Sequence, residues 1–107
     1  MNNIGLVDNE LNMITDVFQK NQAIKKAVVF GSRAKGNYKQ YSDIDIALFG
    51  DVDKMNVEAI IHSLDELPLI YKFDVTAYAA IKNPALCEHI NRVGVTVFER
   101  EQKEETT

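Results

Sequence analysis

The chain has 107 residues, of which 46% are apolar and 26% are charged, so it is long enough for one domain with a single core and has the composition of a soluble globular protein. Its net charge of −4 argues against a broad basic surface for nucleic acids, and its one cysteine, Cys87, excludes an internal disulfide. No apolar run approaches the roughly 18 residues of a membrane span and no secretory leader is evident, so we expect a cytoplasmic protein without direct nucleic-acid binding.

The spacing of apolar residues divides the chain into helices and strands. Helical spacing recurs in three segments, which are residues 8–20, 53–67 and 83–93. Short β-branched or alternating runs predict four strands, over residues 26–30, 43–49, 71–78 and 95–98. Gly31 ends the first strand, and Ser32 is the expected N-cap of a brief helical turn over residues 32–36. A polar loop over residues 37–42 leads to the second strand.

The order of these segments indicates the fold class. The pattern α-β-(short α)-β-α-β-α-β predicts an α+β fold with two layers, in which helices pack on one face of a mixed sheet of about four strands. We expect a single domain over residues 1–107 with its core at about 8–98, because no repeat or linker divides the chain. The charged segment 99–107 is expected to be a flexible tail.

Two aspartates head the second predicted strand, although aspartate is a poor strand residue. Asp43 and Asp45 are two positions apart, so both side chains point to one side of the strand, about 6.5–7 Å apart along it. Asp74 has a similar position in the third strand and joins the pair if the two strands are neighbours. Carboxylates that lie so close repel one another, and oxygen ligands with open positions suit Mg²⁺ or Mn²⁺. The three aspartates therefore predict a divalent-cation site that a substrate phosphate completes.

A glycine and a serine follow the first predicted strand. Gly31 allows a ligand to approach the backbone closely, and the N–H groups at the start of the short helix at Ser32 favour an anion. Arg33 and Lys35 follow at once and could neutralise phosphate oxygens. A phosphate-binding turn beside metal-binding carboxylates is the apparatus of phosphoryl or nucleotidyl transfer.

The spacing of these two features resembles a known signature. The chain has Gly31-Ser32, then ten further residues, then Asp43-Ile44-Asp45. This pattern is similar to the motif of the DNA polymerase β-like nucleotidyltransferase superfamily. Within it, the chain looks like the minimal nucleotidyltransferases, or MNT proteins, which resemble the catalytic core of larger enzymes such as kanamycin nucleotidyltransferase. The resemblance covers about Ala23 to Phe98 and implies a polymerase β-like fold.

The resemblance also implies a partner, a substrate and residue roles. Stand-alone MNT proteins are typically the antitoxins of HEPN-domain ribonuclease toxins, and family members can transfer AMP from ATP onto a tyrosine of the toxin. By this likeness, Gly31 and Ser32 would hold the triphosphate of ATP. Asp43 and Asp45 would bind Mg²⁺, with two ions expected, and Asp74 would be the third carboxylate.

Other functions stay open at this point. The chain could neutralise a partner by binding alone, or it could transfer a nucleotide to a small-molecule hydroxyl, whereas its negative charge disfavours template-directed polymerisation. Tyr38 and Tyr41 either pack locally or contact a base or a partner. His62 and His89 are assigned no part in the chemistry.

Overall fold

The computed structural model describes residues 4–39 and 42–100. Its helices and strands follow the predicted order, with ends that differ from the expected ones by a residue or two and with an additional 3-10 turn, Tyr78–Ala80, after the third strand. In chain order the elements are α1 (Asp8–Gln19), β1 (Ile24–Phe30), α2 (Ser32–Lys35), β2 (Ile44–Gly50), α3 (Lys54–Asp65), β3 (Phe73–Ala77), α4 (Pro84–Val93) and β4 (Val95–Glu99). None of the helices in these two ranges is long and apolar enough to cross a membrane.

The strands form one mixed sheet in the order β3-β2-β1-β4. β1 pairs antiparallel with both of its neighbours, β2 and β4, whereas β2 and β3 run parallel. A parallel pair needs a crossover connection, and α3 lies between these two strands in the chain. The predicted α+β class and the four-stranded mixed sheet are confirmed.

The main core lies between the sheet and the helices α1 and α3. Ile14 and Phe18 of α1 and Ile60 and Leu64 of α3 are buried. They belong to one cluster with the sheet residues Ala27, Val29, Ile44, Ile46, Leu48, Phe73 and Val75. Because each fully buried side chain of this size stabilises the fold by about 1.5–3 kcal/mol, this layer supplies most of the hydrophobic stabilisation.

Helix α4 lies on the opposite face of the sheet. Its Ile90 packs with Val28, Phe30 and Ala47, which form a cluster separate from the main core. The expectation that the helices share one face is therefore wrong for α4. The reason lies in β1, where four consecutive residues from Ala27 to Phe30 are buried, so that both faces of the strand need an apolar cover.

Two helices begin at side chains that satisfy backbone N–H groups. The Asp53 carboxylate accepts the N–H of Asn56 at 2.8 Å before α3, and the Asn56 side chain accepts the N–H of Asp53 at 3.0 Å. Before α4, the Asn83 side chain accepts the N–H of Ala85 at 2.9 Å, and Pro84 occupies the first helical position. The second cap fixes where α4 starts and hence which of its residues meet the sheet.

The fold includes residues past the predicted end of the core. Glu99 belongs to β4, and the N–H of Arg100 donates to the Lys25 carbonyl at 2.8 Å. The Arg100 guanidinium also donates, at 3.0–3.2 Å, to the carbonyl oxygens of Phe18, Asn21 and Ile24. Two residues of the predicted tail 99–107, Glu99 and Arg100, are therefore part of the fold, and the rest of it, 101–107, lies outside the described residues.

Candidate functional site

The turn after β1 brings Gly31 against the carboxylate of Asp45. Gly31 has a φ of 77° and a ψ of −150°, a conformation that residues with a side chain rarely adopt. A Cβ on Gly31 would also collide with an Asp45 carboxylate oxygen. Glycine is therefore needed here both for the backbone angle and for the space beside Asp45. Gly31, and not Ser32 as expected, occupies the N-cap position of α2.

The parallel pairing of β2 with β3 sets Asp45 beside Asp74. The two residues are register partners, and the pairs before and after them belong to the main core, so the two carboxylates point to the opposite face. Asp43 lies directly before β2 and is exposed, as is Asp74, whereas Asp45 is half-buried. The condition on which the predicted carboxylate group depended, that the two strands are neighbours, is met.

The carboxylate of Asp45 has a raised pKa. Partial burial is the largest cause, and repulsion from Asp74 and then from Asp43 adds to it. The two neighbouring carboxylates therefore make ionisation of Asp45 less favourable than in a free aspartate, and a positive charge bound nearby would relieve that repulsion.

Sequence reasoning missed His89, which the structure brings to the turn. The Gly31 N–H donates to Nε2 of His89 at 3.3 Å. The imidazole also packs edge-on against Phe30, with ring centroids 6.2 Å apart. His89 reaches this place because α4 lies on the carboxylate face of the sheet. The available sequence signal was the run of consecutive apolar residues from Ala27 to Phe30, which indicates a strand that packs against other elements on both faces.

Arg33, expected at the phosphate, is instead 1% exposed. Its guanidinium donates to the carbonyl oxygen of Ser42 at 3.0 and 3.2 Å and to that of Ile4 at 2.8 Å. It also lies over two aromatic rings, those of Tyr38 and Tyr71. The expectation that Arg33 neutralises phosphate is therefore corrected, because its donors serve interior carbonyls. It ties α2 to the residue that precedes the aspartate pair.

The remaining predicted residues have simpler surroundings. Ser32 is half-buried at the start of α2, and Lys35 is exposed at its end. Tyr38 packs locally, since its ring is next to the α-carbon of Gly5 as well as to Arg33. Tyr41 lies outside the described residues.

A comparison with protein-family models decides the family. The model described as Polymerase beta, Nucleotidyltransferase matches residues 12–103, which is most of the chain. The chain belongs to this nucleotidyltransferase family. The matched range contains Gly31, Ser32 and the three aspartates, so the site lies inside the family's domain.

One curated relative matches a short part of this nucleotidyltransferase. A protein of Methanocaldococcus jannaschii, named as a candidate protein adenylyltransferase, is 60% identical to it over 30 residues. Those residues are 28% of this chain and 30% of the relative, so the match spans less than a third of either protein.

Several solved structures share the nucleotidyltransferase fold. A chain in the crystal structure of a toxin–antitoxin with AMP-PNP has a TM-score of 0.70 and 21% identity, covering 85% of this chain and 74% of that chain. A chain of the toxin–antitoxin MntA-HepT has a TM-score of 0.66 and 18% identity, covering 88% and 74%. A chain in the structure of a tri-AMPylated Shewanella oneidensis HEPN toxin with its MNT antitoxin has a TM-score of 0.64 and 20% identity, covering 86% and 71%. These likenesses confirm the predicted fold.

The donor set of this nucleotidyltransferase site fits a magnesium ion that substrate completes. Within residues 4–39 and 42–100, no three His, Cys, Asp or Glu side chains are gathered into a group that could hold a metal ion. Mg²⁺ usually takes only one or two protein carboxylates and fills its other positions with water and substrate phosphate. Asp45, with its raised pKa and its acidic neighbours Asp43 and Asp74, supplies that kind of partial site.

Proposed function

We propose that this chain is a Mg²⁺-dependent nucleotidyltransferase that transfers AMP from ATP to a tyrosine of a HEPN-domain toxin, and that it acts in the cytoplasm as the antitoxin of that toxin. Membership of the family supports nucleotidyl transfer. The relatives support the nucleotide and the acceptor, because one is a candidate protein adenylyltransferase, one was solved with AMP-PNP and one complex contains an AMPylated HEPN toxin.

The observation that carries this proposal is the contact between the Gly31 turn and Asp45. Nucleotidyl transfer needs a triphosphate next to carboxylates that can share a cation with it. Here the backbone turn and the carboxylate meet with no side chain between them. A turn that merely ended a strand would tolerate a Cβ on its outer side, so the close approach favours a binding site over a plain turn.

Each residue of the site has a distinct role in the proposal. Gly31 and Ser32 bind the triphosphate, and the exposed Lys35 neutralises part of its charge. Arg33 acts indirectly, because its bonds to Ser42 hold the entry to β2 in place. Tyr38 has no role in the proposal, because its ring packs locally.

The proposed reaction forms one bond and breaks one. The tyrosine oxygen of the toxin bonds to the α-phosphorus of ATP, and the bond to the bridging oxygen of the β-phosphate breaks, so that pyrophosphate leaves. Asp43 and Asp45 would hold the two Mg²⁺ ions, whose charge stabilises the leaving pyrophosphate and favours ionisation of the attacking hydroxyl. Asp74 is the third carboxylate, placed either to share a metal ion or to accept the hydroxyl proton.

The exposure of the site favours a macromolecular acceptor. Asp43 and Asp74 are both exposed, and β3, which carries Asp74, is an edge strand of the sheet. A large partner can therefore reach the carboxylates from the β3 side and exclude water from them as it binds. A HEPN toxin would both cover the carboxylates in this way and supply the tyrosine.

The test is transfer of label from α-³²P-ATP to a co-expressed HEPN protein in the presence of Mg²⁺. Asp43→Asn and Asp45→Asn should each lower the labelling rate by at least about 100-fold, and EDTA should abolish it. Asp51→Asn, which changes an exposed aspartate just after β2, is the matched control and should label at the wild-type rate. Mass spectrometry of the toxin should find AMP on tyrosine.

Two alternatives give different outcomes in the same assay. A chain that neutralises by binding alone would protect cells equally well as wild type, Asp43→Asn and Asp45→Asn, and would do so only at stoichiometric amounts. A chain that acts on a small molecule would label an aminoglycoside or a similar hydroxyl compound and leave the toxin unlabelled. Either result would remove protein adenylylation from the proposal.

A further inference from the structure

We propose that His89 is a positioning residue of the nucleotide site, holding the Gly31 turn in its binding shape by accepting the hydrogen bond of the Gly31 amide. The bond is 3.3 Å long and joins residues 58 positions apart in the chain. The inference rests on the proposed function in one respect, because the ligand of the turn is taken to be the triphosphate.

The turn needs support from outside itself. Its own hydrogen bonds are those of a four-residue helix, with Lys35 N–H donating to the Gly31 carbonyl at 3.1 Å and Gly36 N–H to the Ser32 carbonyl at 3.0 Å. So short a helix has almost no stability of its own, because the conformational entropy lost in forming the first turn offsets the free energy of its first hydrogen bonds. Gly31 also has a positive φ, and a glycine in a free chain adopts negative φ values about as readily, so nothing local keeps it in this conformation.

Helix α4 can provide that support because it is anchored independently of the turn. Its ten residues begin at the Asn83 cap, and Ile90, next to His89, is buried against β1. The imidazole is further fixed by its edge-on contact with Phe30, the last residue of β1. The acceptor atom is therefore held by the same strand from which the turn departs.

The direction of the hydrogen bond separates a positioning role from a catalytic one. A backbone N–H can only donate, so Nε2 of His89 must be the unprotonated nitrogen, and Nδ1 carries the ring proton. With its single lone pair engaged by Gly31, the ring has none left to take a proton from an attacking hydroxyl. His89 therefore acts on the nucleotide through the turn and does not act as the general base.

Two substitutions at this position distinguish the hydrogen bond from packing. His89→Phe keeps a flat ring beside Phe30 and removes the acceptor. His89→Gln restores an acceptor oxygen near the position of Nε2. His62→Phe is the matched control, because His62 is an exposed helix residue on α3 and lies outside the site.

Two measurements on the full chain test the inference. Titration with AMP-PNP and Mg²⁺ should show affinity reduced about five- to tenfold in His89→Phe, within about twofold of wild type in His89→Gln and unchanged in His62→Phe, as expected for one hydrogen bond. Amide hydrogen exchange at Gly31, measured without nucleotide, should be faster in His89→Phe and restored in His89→Gln.

Each contrary result has a definite meaning. If His89→Phe binds AMP-PNP as wild type does, or if Phe and Gln variants lose affinity equally, His89 does not position the turn. If the wild type itself binds no AMP-PNP, the proposed function is wrong, and the Gly31 exchange rates then decide alone whether His89 holds the turn. Unaltered exchange in His89→Phe would overturn the inference in that case.

Discussion

The guanidinium of Arg33 donates to the carbonyl oxygen of Ser42 and so joins helix α2 to the segment that leads through Asp43 into β2. Both residues lie in the ten-residue interval between Ser32 and Asp43. The two ends of this interval are therefore joined by hydrogen bonds from a buried guanidinium, which fix the distance between Gly31-Ser32 and the aspartates.

Arg33→Lys is expected to lower the free energy of unfolding by about 2–3 kcal/mol, because a lysine cannot reproduce the forked donors to Ser42 and Ile4. Urea unfolding of the nucleotide-free protein measures this loss. Lys35→Met, two positions away and exposed, should change stability by less than about 0.5 kcal/mol while weakening AMP-PNP binding. Equal stability of the two variants would contradict the structural role of Arg33.

Gly31→Ala should abolish AMP-PNP binding and destabilise the fold, because the new Cβ meets the Asp45 carboxylate. Gly36→Ala is its matched control: Gly36 also has a positive φ, of 86°, but nothing lies within 4 Å of its Cβ position. The free energy of unfolding of the control should fall by only about 1–2 kcal/mol, the cost of a positive φ in alanine, and the control should still bind AMP-PNP. Calorimetric titration and thermal unfolding of both variants measure the difference, which would vanish if the contact were unimportant.

Asp45→Asn is expected to stabilise the metal-free protein at neutral pH. Burial and the neighbouring carboxylates raise the pKa of Asp45 in the folded state above its unfolded value of about 3.9. The folded state therefore binds this proton more tightly, and the resulting stability is present below the unfolded pKa and is lost as pH rises through the folded pKa.

The measurement is the free energy of unfolding in EDTA, compared between wild type and Asp45→Asn from acid to neutral pH. The stability advantage of the variant should grow with pH across that window and then level off. Asp51→Asn serves as the control, with an exposed side chain outside the carboxylate group. An advantage that does not depend on pH would contradict the electrostatic account.

Arg100→Ala should lower the free energy of unfolding by about 1–3 kcal/mol, because it removes the donors to the carbonyl oxygens of Phe18, Asn21 and Ile24. Arg92→Ala is the comparison, since Arg92 makes an exposed ion pair with Glu88 at 3.0 Å that is worth about 0.3–0.5 kcal/mol. Chemical denaturation of both variants at one pH ranks them. If the two losses are alike, the hydrogen bonds of Arg100 do not help to stabilise the fold.

The elements and the carboxylates could be predicted because they follow from local patterns. Alternation of apolar residues predicted β2 and β3 and placed Asp45 on the face opposite Ile44 and Ile46, whereas Asp43, expected in the same strand, lies just before it. The parallel pairing that brings Asp74 to Asp45 needed a guess about neighbours, which the structure confirms.

The parts that could not be predicted depend on contacts between distant segments. His89 is a polar residue beside an apolar stripe, and only the side of the sheet on which α4 packs decides whether it meets Gly31. Arg33 looked available for phosphate because it directly follows Gly31-Ser32 in the chain. Its burial arises from Ile4 and Tyr71, which are remote in the chain.

Strand β1 is buried on both faces and ends at the turn that begins with Gly31. From Ala27 to Phe30, alternate residues belong to two different cores, so a substitution at any of these four positions disturbs the packing of one helix layer or the other. The same strand leads directly into the Gly31 turn, so a substitution that shifts the backbone of β1 also shifts the turn. We therefore expect stabilising substitutions that preserve activity to be found in α1 and α3 and rarely in β1.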